Sequence, residues 1–135
     1  MNQTARKQSK DREFDELSHR IIGCAIEVHR NLGPGFEERL YQRALAREFE
    51  AAGLDFSREQ WLKIFYKGHK IGTKRLDFLV EGVIVEIKAK AALEPVDHVQ
   101  TLGYLKGSGV KLGLLINFGA LKIQVERLVN KWEGD

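Results

Sequence analysis

Eight residues, FLVEGVIV, separate Asp77 from Glu86, and their pattern constrains the chain more than any other segment. Two apolar triplets flank Glu81-Gly82, a dipeptide suited to a two-residue hairpin loop. Closing that loop pairs Val80 with Val83. Counting outward sets Leu79 opposite Ile84, Phe78 opposite Val85 and Asp77 opposite Glu86. The two carboxylates then share one side of the hairpin with Cβ atoms about 5 Å apart, and like charges so placed are destabilising. Lys88 lies two residues beyond Glu86 and shares that face. Leu79 and Ile84 share it too, so the face is expected to be covered rather than fully wet.

A divalent cation is one reason for two acids and a lysine to meet there. Hard oxygen ligands at this spacing suit Mg²⁺ or Mn²⁺. Such an ion offsets the repulsion, polarises a phosphate oxygen and lowers the pKa of a bound water. Lys88 is then placed to hold that water and to neutralise transition-state charge. The alternative is a solvent-facing charge ladder in which Lys88 and Arg75 screen the acids. Spacing alone leaves both readings open, and a one-residue slip in register would separate the pair.

Around the hairpin the periodicity changes in an ordered way. Residues 1–10 are polar and aperiodic and read as a disordered tail. Phe14, Leu17, Ile21, Ala25 and Val28 then recur at helical spacing, predicting a helix over about 11–31 that Gly33-Pro34 stops. A second helix is expected from Phe36 to Ala52, ended by Gly53. Its apolar arc contains Glu38, an uncommon place for a charge unless it is partnered. Strand patterns follow: QWLKIFY, then KIGTKRLDFLV after a KGH turn, then VIVEIKA. Pro95 opens a helix to about Lys106. The apolar run KLGLLINF predicts a buried inner strand, and LKIQVERLV a last one. The expected order is helix, helix, three strands, helix, two strands. Residues 11–135 are expected to form one α/β domain with a mixed central sheet flanked by helices, 83–88 and 111–118 being inner strands.

Composition narrows the function classes. The chain has 135 residues, 43% hydrophobic and 30% charged, ordinary for a globular domain. Its net charge of +3 does not by itself indicate nucleic acid. Lys63, Lys67, Lys70, Lys74 and Arg75 cluster, however, with Lys88 and Lys90 soon after, and such a stretch suits phosphates. A solvated strand face is the alternative. No apolar run approaches the roughly 18 residues of a membrane span, so no membrane partner is expected. The single cysteine, Cys24, sits in an apolar helical pattern and reads as core, with a reducing, cytoplasmic setting inferred from cysteine usage. His19, His29, His69 and His98 lack zinc-ligand spacing.

The combination of Asp77, Glu86, Ile87 and Lys88, with acid-x-lysine on an apolar strand after a hairpin, resembles the PD-(D/E)xK nuclease superfamily. The upstream segment GPGFEERLY, read as G35-x-x-E38-x-x-Y41, looks like the signature of the GxxExxY proteins, a bacterial and archaeal group within it. HVQTLGYLK and GLLINFG also look like that group. The resemblance implies a restriction-endonuclease-like core. It implies Asp77 and Glu86 as metal ligands with the Ile87 carbonyl as a third, and Lys88 as the catalytic lysine. It further implies Glu38 as an accessory acid and Gln100 as a polar group near the site. Tyr41, one turn from Glu38, either points the same way or serves the core. The implied activity is Mg²⁺- or Mn²⁺-dependent hydrolysis of phosphodiester bonds, in DNA ahead of RNA, by a monomer or weak homodimer. The competing function is a catalytically silent nucleic-acid-binding or protein-interaction module on the same fold.

Overall fold

The computed structural model describes residues 3–131, with side chains from Arg12 onward. Helix α1 (Gln3–Leu32) begins ahead of the expected start near residue 11. Ala5, Arg6, Lys7, Gln8 and Lys10 are good helix formers, so the pattern's lack of an apolar stripe does not stop the backbone from continuing. The rest of the expected tail, Met1 and Asn2, lies outside the described residues. Gly33, at φ 65°, ends the helix with its amide on the His29 carbonyl. Helix α2 (Glu38–Ala51) follows the GPG turn, and Gly53, at φ 71°, follows its end.

Seven strands follow: β1 (Phe56–Arg58), β2 (Trp61–Tyr66), β3 (His69–Arg75), β4 (Phe78–Val80), β5 (Val83–Lys88) and, beyond helix α3 (Pro95–Ser108), β6 (Leu112–Asn117) and β7 (Gln124–Val129). Five form one sheet in the order β1-β4-β5-β6-β7, and β2 with β3 forms a separate two-stranded ribbon. β5 and β6 pair in parallel across the α3 crossover and their other neighbours are antiparallel, so the sheet is mixed. Both lie inside the sheet, as their apolar runs predict.

The expected continuous strand KIGTKRLDFLV is divided, which is the main correction to the sequence reading. Residues 69–75 pair with β2, whereas 78–80 pair with β1 and β5. The break falls at Leu76-Asp77. Leu76 is buried, its amide donates to the Gln60 carbonyl and the Glu59 amide donates to the Asp77 carbonyl, so the register carries through the break. Glu59, at φ 53°, marks the distortion on the facing segment that interrupts the ladder. The β4–β5 register is the expected one, with Val80 on Val83, Leu79 on Ile84 and Phe78 on Val85. Glu81 and Gly82 both have positive φ, the geometry that matches strand twist in a two-residue hairpin.

Alternation along β5 divides the core. Val83, Val85 and Ile87 pack with Phe78, Tyr41, Leu45, Phe49 and the apolar stripe of α1 on one face. Ile84 packs with Leu105 of α3, Leu62 of the ribbon, Leu76 and Leu115 on the other. Helices thus cover both faces of the sheet, the layering that buries two apolar surfaces at once. Glu86 and Lys88 fall on the α3 side by the same alternation.

Candidate active site

Asp77 follows β3 and enters β4, so it stands where the ribbon leaves the main sheet. Glu86 is the fourth residue of β5 and is 7% exposed. The acids are held by each other's strands. Glu86 Oε1 accepts the Asp77 amide at 2.9 Å, and Asp77 Oδ2 accepts the Ile87 amide at 2.9 Å. Each carboxylate therefore substitutes for a backbone carbonyl where the β4–β5 ladder ends. Asp77 Oδ1 has one long contact, 3.5 Å from Gln42 Nε2. Glu86 Oε2 accepts no hydrogen bond among the described residues.

The electrostatics follow from that burial. Desolvation, and then the neighbouring Asp77 charge, push the Glu86 carboxyl up to about 7. Asp77 is also raised, chiefly by burial, against the lowering effects of the Ile87 amide, Lys88 and Lys74. Lys88 is half-buried on the same face and faces both acids. Lys74, on β3, stands within electrostatic reach of both as well.

The other expected residues separate. Glu38 is the first residue of α2, and its carboxyl is raised by partial desolvation and by the Asp77 charge, with Lys88 opposing. It thus borders the acid pair, but not from a packed arc. Phe36, Glu38 and Leu40 are all exposed, and the covered stripe of α2 starts at Tyr41. The first turn lies outside the covered stripe, so helical spacing alone overstates its burial. Gln100 is exposed on α3, and no hydrogen bond joins it to the acids among the described residues. The Ile87 side chain is fully buried in the opposite core, while its amide serves Asp77.

Tyr41 takes the structural of its two roles. Its hydroxyl donates to the Gly33 carbonyl at 2.6 Å and accepts the Phe36 amide at 3.2 Å, and its ring stacks on Phe118 at 4.9 Å. It locks the turn that delivers Glu38. His98 bonds Glu126, and Cys24 is buried in the α1–α2 core as expected.

Two site-supporting residues escape the sequence reading. Gln42 is buried, touches Asp77 and accepts Arg58 Nη2 at 3.1 Å. It lies one helical turn from Glu38, and that i, i+4 spacing was the available signal. Asn117, fully buried and in register with Lys88, bonds Lys90 through both its amide and its carbonyl, and bonds Gly119 and Gln124 besides. A buried asparagine with four hydrogen bonds to three residues fixes the chain just beyond Lys88. Lys90, counted among the phosphate-suited cations, is instead held by Asp97 at 2.8 Å and Glu94 at 3.2 Å.

The donor set fits a hard divalent ion of limited protein coordination. No group of three or more His, Cys, Asp or Glu side chains gathers closely enough to hold an ion among the described residues. Mg²⁺ is commonly bound through one or two carboxylates and keeps several waters. Two anchored acids, with Glu86 Oε2 unbonded among the described residues and Asp77 Oδ1 held only by the 3.5 Å contact to Gln42, meet that requirement.

This geometry agrees with the wider comparison: the chain belongs to the PD-(D/E)XK nuclease superfamily, whose family model matches residues 15–128. No curated protein and no solved structure matches it. Among the described residues no helix is long and apolar enough to cross a membrane.

Proposed function

We propose that this chain is a metal-dependent nuclease of the GxxExxY group, hydrolysing phosphodiester bonds in DNA ahead of RNA. The observation that carries the reading is the pair Asp77 and Glu86, desolvated and mutually repelling, with Lys88 on the same face. Lys88 and Lys74, both half-buried, oppose the shift, yet they leave the buried Glu86 carboxyl raised to about 7 beside half-buried Asp77, which a balanced structural ion pair would not do.

Asp77, Glu86 and the Ile87 carbonyl are the residues that would hold Mg²⁺ or Mn²⁺. The ion's contribution when bound is to polarise the phosphoryl oxygen and acidify a water. The chain's own groups do the rest. Lys88 supplies a cation for the charge that develops on the phosphate, and desolvation strengthens that interaction. Glu38, exposed and near Lys88, is the group placed to accept a proton or to order water at the open side of the site. Gln42 orients Asp77 and is itself held by Arg58. Gln100 joins the site only if α3 or the nucleic acid brings it there. The protein is proposed to act in the cytoplasm as a monomer or weak homodimer.

The test is cleavage of a panel of single- and double-stranded DNA and RNA with Mg²⁺, Mn²⁺ or chelator. Cleavage that needs the ion and is lost in Lys88→Ala supports the nuclease. An inert wild type that still binds nucleic acid or a protein selects the silent module.

A further inference from the structure

The two faces of the β2–β3 ribbon differ in kind. Its inner face is anchored: Leu62 and Ile64 join the α3 core. A Cβ at Gly107 would lie 2.8 Å from Ile64 Cγ2, so the ribbon seats against α3 where a side chain is missing. On the outer face Trp61 pairs with Arg75, Lys63 with Thr73 and Phe65 with Lys70. Trp61 is 61% exposed and Phe65 45%, with Tyr66 and Ile71 exposed beside them. Large rings left in water on a rigidly seated strand mark an interaction surface rather than a packing failure.

The charge on that surface selects the occupant. Residues 60–75 contain Lys63, Lys67, Lys70, Lys74 and Arg75 and no acid. Arg75 is paired with Glu59 and Lys74 lies over the Tyr104 ring, whereas Lys63 and Lys70 are exposed without an ion pair among the described residues. A second copy of the ribbon would bring like charges together, so a polyanion is the complementary partner. Aromatic faces interleaved with lysines suit a backbone tracked by cations and bases stacked on rings. Duplex bases have their faces already covered, so the rings select unpaired nucleotides. The ribbon also leads straight to chemistry, because β3 ends two residues before Asp77.

We propose that the outer face of this ribbon, with Trp61 and Phe65 as stacking rings and Lys63 and Lys70 as phosphate contacts, binds single-stranded nucleic acid and feeds it to the Asp77–Glu86 site. The substrate class is therefore a single strand, or an unpaired stretch of a longer one, a refinement that rests on the nuclease reading.

The experiment measures binding of a fluorescent single-stranded oligonucleotide and its duplex in chelator, where cleavage is off. Trp61→Ala/Phe65→Ala should weaken single-strand binding by about tenfold per ring. Lys63→Ala/Lys70→Ala should flatten the salt dependence by about 1.4 in log–log slope, at about 0.7 per phosphate contact. In a Trp132→Phe background Trp61 is the remaining tryptophan, and the single strand should quench it. That last readout needs no ribbon variant to fold. Wild-type affinity in the aromatic double variant, an unchanged salt slope, an unquenched Trp61, or tighter binding of the duplex would each overturn the proposal. The two readings fail separately: a wild type that cleaves nothing with Mn²⁺ counts against the nuclease, while binding in chelator judges the ribbon alone.

Discussion

Asp77 and Glu86 each anchor the other's strand, Glu86 through the Asp77 amide and Asp77 through the Ile87 amide, both at 2.9 Å. Opposed acids that repel through their charges are thus held together by their hydrogen bonds. The hairpin stores a like-charge pair that a cation or a proton relieves.

The metal-free protein should lose stability as pH rises from about 4.5 to about 7. Glu86 titrates at about 7 in the fold against an ordinary 4.5. Below 4.5 the folded and unfolded states are both protonated, and the stabilisation is fully present. Through the window the unfolded chain releases its proton first, so each step upward favours unfolding until the folded group ionises too. Urea melts in chelator across pH 4–8 check this. In Asp77→Asn the slope should flatten, because one cause of the shift is gone while the Ile87 amide keeps an acceptor.

Gln42→Ala should cost about tenfold to a hundredfold in metal affinity or cleavage, the usual range for a group that orients a ligand. It leaves Asp77 Oδ1 and Arg58 without their shared partner. Steady-state cleavage against Mn²⁺ concentration would show it as a rightward shift. An unchanged curve would make Gln42 a packing residue only.

Gly119→Ala should destabilise the fold by about 1–3 kcal/mol, as overpacking does. A Cβ there would meet the Lys90 nitrogen and oxygen at 2.4 Å, backbone atoms that cannot rotate away. The segment after Lys88 must shift, so cleavage should fall further than stability alone explains. Thermal melts and cleavage rates on the same samples separate the two losses.

Tyr41→Phe should cost about 1–3 kcal/mol, since two backbone groups of the GPG turn lose a partner in a part-buried setting. The ring and its stacking on Phe118 remain. Cleavage by the folded fraction should persist, which distinguishes a residue that holds the turn from one that acts on substrate.

Local patterns were legible in the sequence and long-range ones were not. The Glu81-Gly82 turn sets register by counting, so the Asp77–Glu86 opposition and the shared face of Lys88 follow from the chain itself. The dense apolar runs identify β5 and β6 as inner strands. The division of residues 70–80 between two sheets was hidden, because β3 and β4 read as one extended pattern and the interruption lies on the facing segment, at Glu59 with its positive φ. Burial of the first turn of α2 was overstated because periodicity gives an angle and not a neighbour. Gln42 and Asn117 went unseen for a related reason: a polar residue's role depends on partners 35 and 27 residues away.

The most direct measurement of the central claim is the thermal melt of wild type, Asp77→Asn and Lys88→Ala with and without millimolar Mn²⁺. An ion that binds only the folded site stabilises it by about 2.7 kcal/mol at a hundredfold excess over its dissociation constant. The account predicts a clear upward shift for wild type and Lys88→Ala, and little or none for Asp77→Asn. Lys88→Ala should keep the shift while losing cleavage, since the lysine serves the phosphate and not the ion. A wild type whose melting temperature ignores Mn²⁺, together with an Asp77→Asn variant less stable than wild type in chelator, would contradict it and make the acid pair a hairpin clasp.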